Sequence, residues 1–301
     1  MYPILFEYNG FVISSYGLML MIAFVLCNYL LKRYLMSINV NGEIADDLIF
    51  YAAFGGIIGA KVYYIIEGIP SGDAYENIQG LFMIVKGVIT FSFSTIASGV
   101  KQFGSGLVYL GGLIGGMLSV TFYIRKNNLN WFEVSDWVAP YLALGHCIGR
   151  IGCFLVGCCY GTVCNHSWGV QFPNGIPPST YESFKYMYPE NFQQSVEPFF
   201  SQGSLLHVHP TQLYESILYF LLFAFLVFFR NKKNTKGFLM LNYLLFAGII
   251  RFCIEFLRLN PKYILNLSSA QLVSFFMVSI SIILLYRMKD NSLLGINEPK
   301  H

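Results

Sequence analysis

Arg251, Glu255 and Arg258 stand at i, i+4 and i+7 in and just beyond an apolar run over residues 237–257, so on a helix they share one face. Arg150 sits inside HCIGRIGCFLVGCCYG, His146 to Gly161, and His209, Gln212 and Glu215 open another apolar run in VHPTQLYES, Val208 to Ser216. An ionisable side chain in the middle of a bilayer helix costs about 2.5–3.5 kcal/mol on the insertion scale, so it needs a partner, a water-filled cavity or a function. Arg251 and Glu255 can form a buried ion pair that only fixes packing. Arg258 and Arg150 add positive charge to that pair, and surplus guanidinium in a lipid-facing chain calls for an anion. Phosphate suits it, because the planar fork grips two oxygens at once and keeps its charge. A lipid headgroup brings such a phosphate from the bilayer itself. His209 precedes Pro210 and either caps a helix start or serves as a general base.

Five of the seven cysteines, Cys147, Cys153, Cys158, Cys159 and Cys164, fall within eighteen residues. Cys158, Cys159, Cys164 and His166 are zinc-binding residue types, but an adjacent pair with a single histidine is not a familiar ligand spacing. A disulfide such as Cys158 to Cys164, packing as small apolar groups, and a reactive thiol remain open. No metal ion and no cofactor is assigned.

The elements that hold these residues must lie in a membrane. Of 301 residues 55% are hydrophobic and 12% charged, and the mean hydropathy is +0.54, whereas soluble domains carry about 25% charge. The formal charge of +3 is too small and scattered for a nucleic-acid partner. The start, MYPILFEYNG, lacks the basic region of a cleavable signal, so the first apolar run reads as a permanent span. Apolar stretches over 12–31, 47–66, 105–124, 138–156, 210–229, 237–257 and 269–286 have the length of bilayer crossings. The stretch 81–97 contains Lys86 and two hydroxyl-rich turns and reads as interfacial or re-entrant. The expected fold is therefore all-α: a polytopic membrane protein of seven helices forming one transmembrane domain over 1–301, with an extracytoplasmic insert at about 157–208.

Orientation follows from Lys and Arg in alternate loops. Lys32 and Arg33, then Arg125 and Lys126, then Arg230, Lys232, Lys233 and Lys236, and finally Arg287 and Lys289 fall on one side if seven helices are threaded in order. That places the amino terminus outside and the carboxyl terminus in the cytoplasm. Glycines recur at Gly55, Gly56 and Gly59, at Gly111, Gly112, Gly115 and Gly116, and at Gly145, Gly149 and Gly152. Such faces either let helix backbones approach closely or shape a cavity for a lipid, the second reading making Gly111 and Gly112 substrate contacts.

Together these segments resemble the bacterial prolipoprotein diacylglyceryl transferase family. The likeness runs through ISSYGLML (Ile13 to Leu20), GGIIGAKVYYIIE (Gly55 to Glu67), LGGLIGG (Leu110 to Gly116), GRIGCFLVGCCYG (Gly149 to Gly161), HPTQLYE (His209 to Glu215), GIIRFCIEFLR (Gly248 to Arg258) and AQLVS (Ala270 to Ser274). The resemblance implies a multi-pass protein of the bacterial cell membrane that moves diacylglyceryl from phosphatidylglycerol to the cysteine thiol of a secreted prolipoprotein's lipobox, with release of glycerol phosphate. It also implies that Tyr16, Arg150, Gly161, Arg251, Glu255 and Arg258 bind the headgroup or act in catalysis.

Where that family carries a histidine before the paired glycines, this chain has Leu110. An asparagine after GRIG is Cys153, a glutamate further on is Cys158, and a tyrosine four residues before the first sixth-span arginine is Ala247. The phosphate-binding half of the pattern survives while much of the proton-handling half does not. Making thiolate from a free thiol at neutral pH costs roughly 2 kcal/mol, which an arginine-rich field can largely supply. His209 and His146 are substitute bases on this reading, and sulfur chemistry within the protein through Cys153 or Cys158 is another. Two rivals stand beside it: a transferase of the same fold with another lipid or acceptor, and a non-enzymatic anion-binding membrane protein or transporter.

Overall fold

A computed structural model of the chain describes residues 3–8, 11–69, 73–104, 108–187, 196, 201–232, 235–263 and 266–293. Lys233 of the orientation argument and residues 188–195 and 197–200 of the insert lie outside them. The described residues fall into two compact units, one built from the amino-terminal segment to Tyr34 with everything from Phe132 onward, the other from Leu35 to Trp131.

The fold is all-α apart from an antiparallel hairpin that opens the chain, β1 (Ile4–Tyr8) and β2 (Phe11–Ser14), so the first span starts a few residues later than expected and runs to Ser37. Phe11–Ser14 alternate along a strand, and helix α1 (Ser15–Ser37) starts only where the Ser14 hydroxyl accepts the Gly17 N–H at 3.0 Å, an N-cap. In the first unit α1 is followed by α6 (Trp131–Val156), a short α7 (Tyr181–Met187), α8 (Thr211–Phe229), α9 (Phe238–Glu255) and α10 (Ser269–Leu293). Ala139, Ala143 and Cys147 of α6, Tyr219, Leu222 and Leu226 of α8, and Leu239, Tyr243, Ala247, Ile250 and Ile254 of α9 make its interhelical core. Small residues on α6 leave room for the rings of the other two helices. The outward faces stay apolar: Val273, Phe275, Phe276, Ile280 and Ile283 of α10 are more than half exposed, as suits a surface solvated by lipid.

Helices α6 and α9 run opposite to α8, and their two ends differ in character. At one end Asp136 accepts the N–H groups of Gly237 (2.7 Å) and Met240 (2.9 Å) and so caps α9, while Arg230 donates to Tyr141 Oη at 2.9 Å and lies over the ring of Tyr34. Past the other end the insert makes a small core of its own. Phe172, Phe184, Leu206 and Val208 are fully buried, and Val170 and Thr180 bridge Val208 and Leu205. Part of the insert is therefore a folded layer.

In the second unit α2 (Glu43–Glu67) packs on α5 (Tyr109–Lys126), and α3 (Asp73–Ile89) on α4 (Phe93–Gly104). The α2–α5 seam is made of glycine: a methyl group on Gly111 would come within 2.4 Å of the Gly59 carbonyl, and one on Gly115 within 2.4 Å of the Gly55 carbonyl. The stretch 81–97 is not one helix, because Thr90–Ser92 turn the chain between α3 and α4 with Phe91 at φ +52°.

Among the described residues six helices, α1, α2, α6, α8, α9 and most of α10, are long and apolar enough to cross a membrane. The seventh expected span, α5, is not among them. Its 18 residues include four glycines and end in Arg125 and Lys126, which lower its hydropathy.

Candidate active site

The site forms where the carboxyl-terminal ends of α6 and α9 meet the amino-terminal end of α8. Glu215, one turn into α8, is its centre. Its carboxylate receives Arg150 Nε from α6, Arg251 Nη1 from α9 at 3.1 Å, and Arg258 Nη1 from just beyond α9 at 3.7 Å. Glu255 is the second centre: Arg251 Nη2 reaches it at 2.8 Å and Arg258 Nε at 3.8 Å, while Asn260 Nδ2 and Ser268 Oγ donate to its other oxygen at 2.6 and 2.7 Å. Arg251 thus forks between two carboxylates, as a planar guanidinium can. Arg251 and Glu255 meet the i, i+4 spacing on α9, whereas the helix ends at Glu255 and Arg258 reaches the cluster from the bridge with Gly161; the packing of α6 and α8 supplies the rest.

Charge and exposure decide what this can do. Three guanidiniums share two carboxylates, which leaves one positive charge. The carboxylate side chains are sealed at 1% exposure, whereas Arg150 and Arg251 keep 23% and 24% and Arg258 keeps 11%. The acids are therefore enclosed supports, and the arginine side chains keep accessible surface. Partly exposed arginines whose orientation is set from behind are a ready receptor for a phosphate.

The other predicted residues fall around this centre. Gly161 hydrogen-bonds His209 O through its N–H at 2.9 Å and bridges Arg258, and a Cβ there would lie 2.4 Å from the Leu257 carbonyl. Only glycine lets the two strands close beside Arg258. Tyr16, half exposed at the start of α1, lies against Gly152, two residues past Arg150 on α6. His209 contributes its backbone to the Gly161 and Thr162 pairing, while its ring faces Tyr214 Oη at 3.4 Å. Burial and the neighbouring His166 hold that imidazole below its usual pKa, so it is neutral at neutral pH. His146, one turn before Arg150, meets Tyr243 Oη at 3.1 Å and the ring of Tyr219. Gly111 and Gly112 belong to the α2–α5 seam described above, and Leu110 is exposed on α5. Ala247 is buried in the core of α6, α8 and α9.

Sequence reasoning named Glu215 beside His209 and Gln212 but gave it no role. Its signal was there: an acid inside an apolar helix needs cations, and the arginines were already counted. Ser268, Asn260 and Thr211 were missed, since only folding brings them in, and Gln212 was named without a role. Thr211 Oγ1 donates to the Cys159 carbonyl at 2.9 Å and Gln212 Nε2 to the Cys158 carbonyl at 2.7 Å, pinning the turn after α6. Cysteines 153, 158, 159 and 164 are free thiols, and no His, Cys, Asp or Glu cluster suited to a metal occurs among the described residues.

A model of the prolipoprotein diacylglyceryl transferase family matches residues 3–287. The chain belongs to that family. The phosphatidylglycerol–prolipoprotein diacylglyceryl transferase of Clostridium tetani (strain Massachusetts / E88) is 32% identical over 283 residues, 94% of this chain and 96% of the relative. The enzyme called phosphatidylglycerol–prolipoprotein diacylglyceryl transferase 2 in Clostridium perfringens (strain 13 / Type A) is 31% identical over 297 residues, 98% and 97% of the two chains. A Bordetella avium (strain 197N) relative of the same name is 29% identical over 270 residues, 88% and 84%. As a member of the diacylglyceryl transferase family with six membrane-capable helices, the protein is a multi-pass bacterial membrane enzyme.

Proposed function

We propose that the protein transfers the diacylglyceryl group of phosphatidylglycerol to the lipobox cysteine of prolipoproteins, forming a thioether and releasing glycerol phosphate. The observation that carries this is the cluster of three arginines braced from behind by Glu215 and Glu255, with Arg150 and Arg251 partly exposed. Phosphatidylglycerol enters from the surrounding lipid, and Arg150 and Arg251 take its phosphate oxygens. Glu215 and Glu255 fix the guanidiniums, so they need little rearrangement as charge grows on the departing phosphate, which is where electrostatic catalysis is strongest. Arg258 completes the positive field, and Tyr16 contacts the headgroup from α1. The acceptor sulfur attacks the glycerol carbon that bears the phosphate ester. Gly112 borders lipid in this proposal while Gly111 is taken up by the helix seam, and His209 is a base of second rank because its ring is engaged with Tyr214.

The topology that goes with this reading has seven spans, α5 included, with the amino terminus outside, the carboxyl terminus cytoplasmic and the insert extracytoplasmic. It rests on the alternation of basic loops.

Transfer in phosphatidylglycerol vesicles, read by mass spectrometry of a lipobox peptide, tests the function. Arg251→Ala should lower the rate by about 10²–10³-fold, as loss of one transition-state anchor does. Undiminished transfer would remove the proposal. Because Cys153, Cys158, Leu110 and Ala247 replace proton-handling groups of the family, a different lipid or acceptor is the second reading. It is favoured if the peptide stays unmodified while lipid extracts of a deletion strain lose another product. Anion flux across vesicles without any covalent product would instead favour the transporter.

A further inference from the structure

The arginine cluster accounts for the phosphate of the lipid and leaves the esters of its glycerol unassigned. Below the cluster, toward the middle of the helices, lies a second polar layer. His146 precedes Arg150 by four residues on α6 and Tyr219 follows Glu215 by four on α8, so each stands one turn, about 6 Å, deeper. The two rings meet edge to face with centroids 4.9 Å apart, and Tyr243 of α9 brings its Oη to 3.1 Å from His146 Nδ1. Both tyrosines are buried, at 6% and 7% exposure, yet His146 is exposed. Among the described residues Tyr243 is the imidazole's one hydrogen-bond partner, which leaves Nε2 available. Leu142, a further turn down α6, is exposed as well, so an accessible stripe runs from guanidinium through imidazole to an aliphatic side chain. A methyl group on Gly149 would meet nothing within 4 Å, so free space flanks this stretch of the helix.

We infer that His146 binds the acyl-ester part of the lipid substrate, donating Nε2–H to an ester carbonyl of the phosphatidylglycerol whose phosphate rests on Arg150 and Arg251. The ligand follows from the transferase reading. In a glycerophospholipid the ester carbonyls come a few bonds after the phosphate and the acyl chains come after them. The stripe Arg150, His146, Leu142 repeats that order of anion, hydrogen-bond acceptor and hydrocarbon. With Tyr243 Oη donating to Nδ1, the uncharged ring holds its proton on Nε2 and offers a donor, which is what a carbonyl needs once it has left water. Tyr243 is then a positioning residue that fixes the tautomer and the tilt of the ring. Both ester bonds survive the transfer, because the bond that breaks joins the glycerol carbon to the phosphate oxygen. The contact is therefore the same before, during and after reaction, and it acts on KM and not on kcat.

Full-length protein and a lipobox peptide, in phosphatidylcholine vesicles with varied fractions of either diester phosphatidylglycerol or its diether analogue, test this, because the diether lacks both carbonyls. Wild type should favour the diester by about 3–10-fold in kcat/KM, the net effect of one hydrogen bond, with the difference carried by KM. His146→Leu should bring the two lipids level, and His146→Gln, which still presents an N–H, should keep the preference. A wild type that treats the two lipids alike, or a His146→Leu variant that retains the preference, overturns the inference. So does a loss of more than about 10²-fold in kcat shared by both variants, since glutamine donates but cannot take a proton, and that result marks a base. A wild type that transfers from neither lipid overturns the transferase reading by itself. Native mass spectrometry of the same two lipids bound to wild type and to His146→Leu then decides the ester contact, by whether the variant loses the diester preference.

Discussion

Arg251 is the residue at which charge and geometry are most tightly joined, because its two terminal nitrogens serve two different carboxylates at 3.1 and 2.8 Å. A lysine cannot make that fork. Arg251→Lys should therefore keep the net charge yet lose about 10–100-fold in transfer rate, the equivalent of one charge-assisted hydrogen bond of about 1.5–3 kcal/mol. Full activity of the lysine variant in the vesicle assay would show that charge alone suffices. Glu215 answers to a different test, because it is sealed and serves three guanidiniums. Glu215→Ala leaves those cations facing one another and should destabilise the protein toward the lower end of about 3–5 kcal/mol, the arginines being partly solvated. Glu215→Gln, which keeps the shape, should cost less. Thermal unfolding in detergent measures both, and an alanine variant that melts like wild type would refute the bracing role. The arginines and Glu255 were legible in the sequence because an ionisable group in an apolar run is conspicuous. Ser268 and Asn260, which hold Glu255, were not: a polar residue in a loop carries no signal until the fold sets it 2.7 or 2.6 Å from a buried carboxylate.

Among the elements, the helices could be read from apolar length, but their ends and partners could not. Phe11–Ser14 look like the start of a span because strand and helix share apolar residues, and only pairing with Ile4–Tyr8 separates them. The fold within the insert was equally hidden, since its buried residues, from Phe172 to Val208, are spread along the chain without a period. Glycine stripes announced close helix packing without saying which glycines bear it. In the seam, Gly111 faces backbone at 2.4 Å, whereas a methyl group on Gly112 would sit 3.3 Å from the Gly56 carbonyl and 3.5 Å from Ala60 Cβ. Gly111→Ala should accordingly destabilise by about 1–3 kcal/mol through overpacking, and Gly112→Ala by much less. Melting curves of the two variants test the seam. Should Gly112→Ala instead melt normally and abolish transfer, Gly112 contacts lipid and its role is in binding.

For the whole chain, the matter to decide is parity. Counting only the six membrane-capable helices would put both termini on one side and, with an outside start, would carry the insert into the cytoplasm. Counting α5 as a crossing restores the alternation of basic loops, while α3 and α4, joined by the tight turn at Thr90–Ser92, go and return without adding a net crossing. The first unit is consistent with this in one respect: the arginine cluster and the insert share one end of α6, α8 and α9, and Arg230, Lys232 and Lys236 share the other. On the topology proposed above, the positive-inside rule sends the basic end to the cytoplasm and the arginine site outward, where a secreted acceptor can reach it. An alkaline phosphatase reporter, which folds only in an oxidising compartment, should be active when fused after Trp168 and silent when fused after Leu293. A fluorescent protein at the second position should glow. The reverse result at Trp168 would leave α5 short of a crossing and put the phosphate site on the wrong side for secreted substrates, so this fusion tests the span count and the reaction's location together.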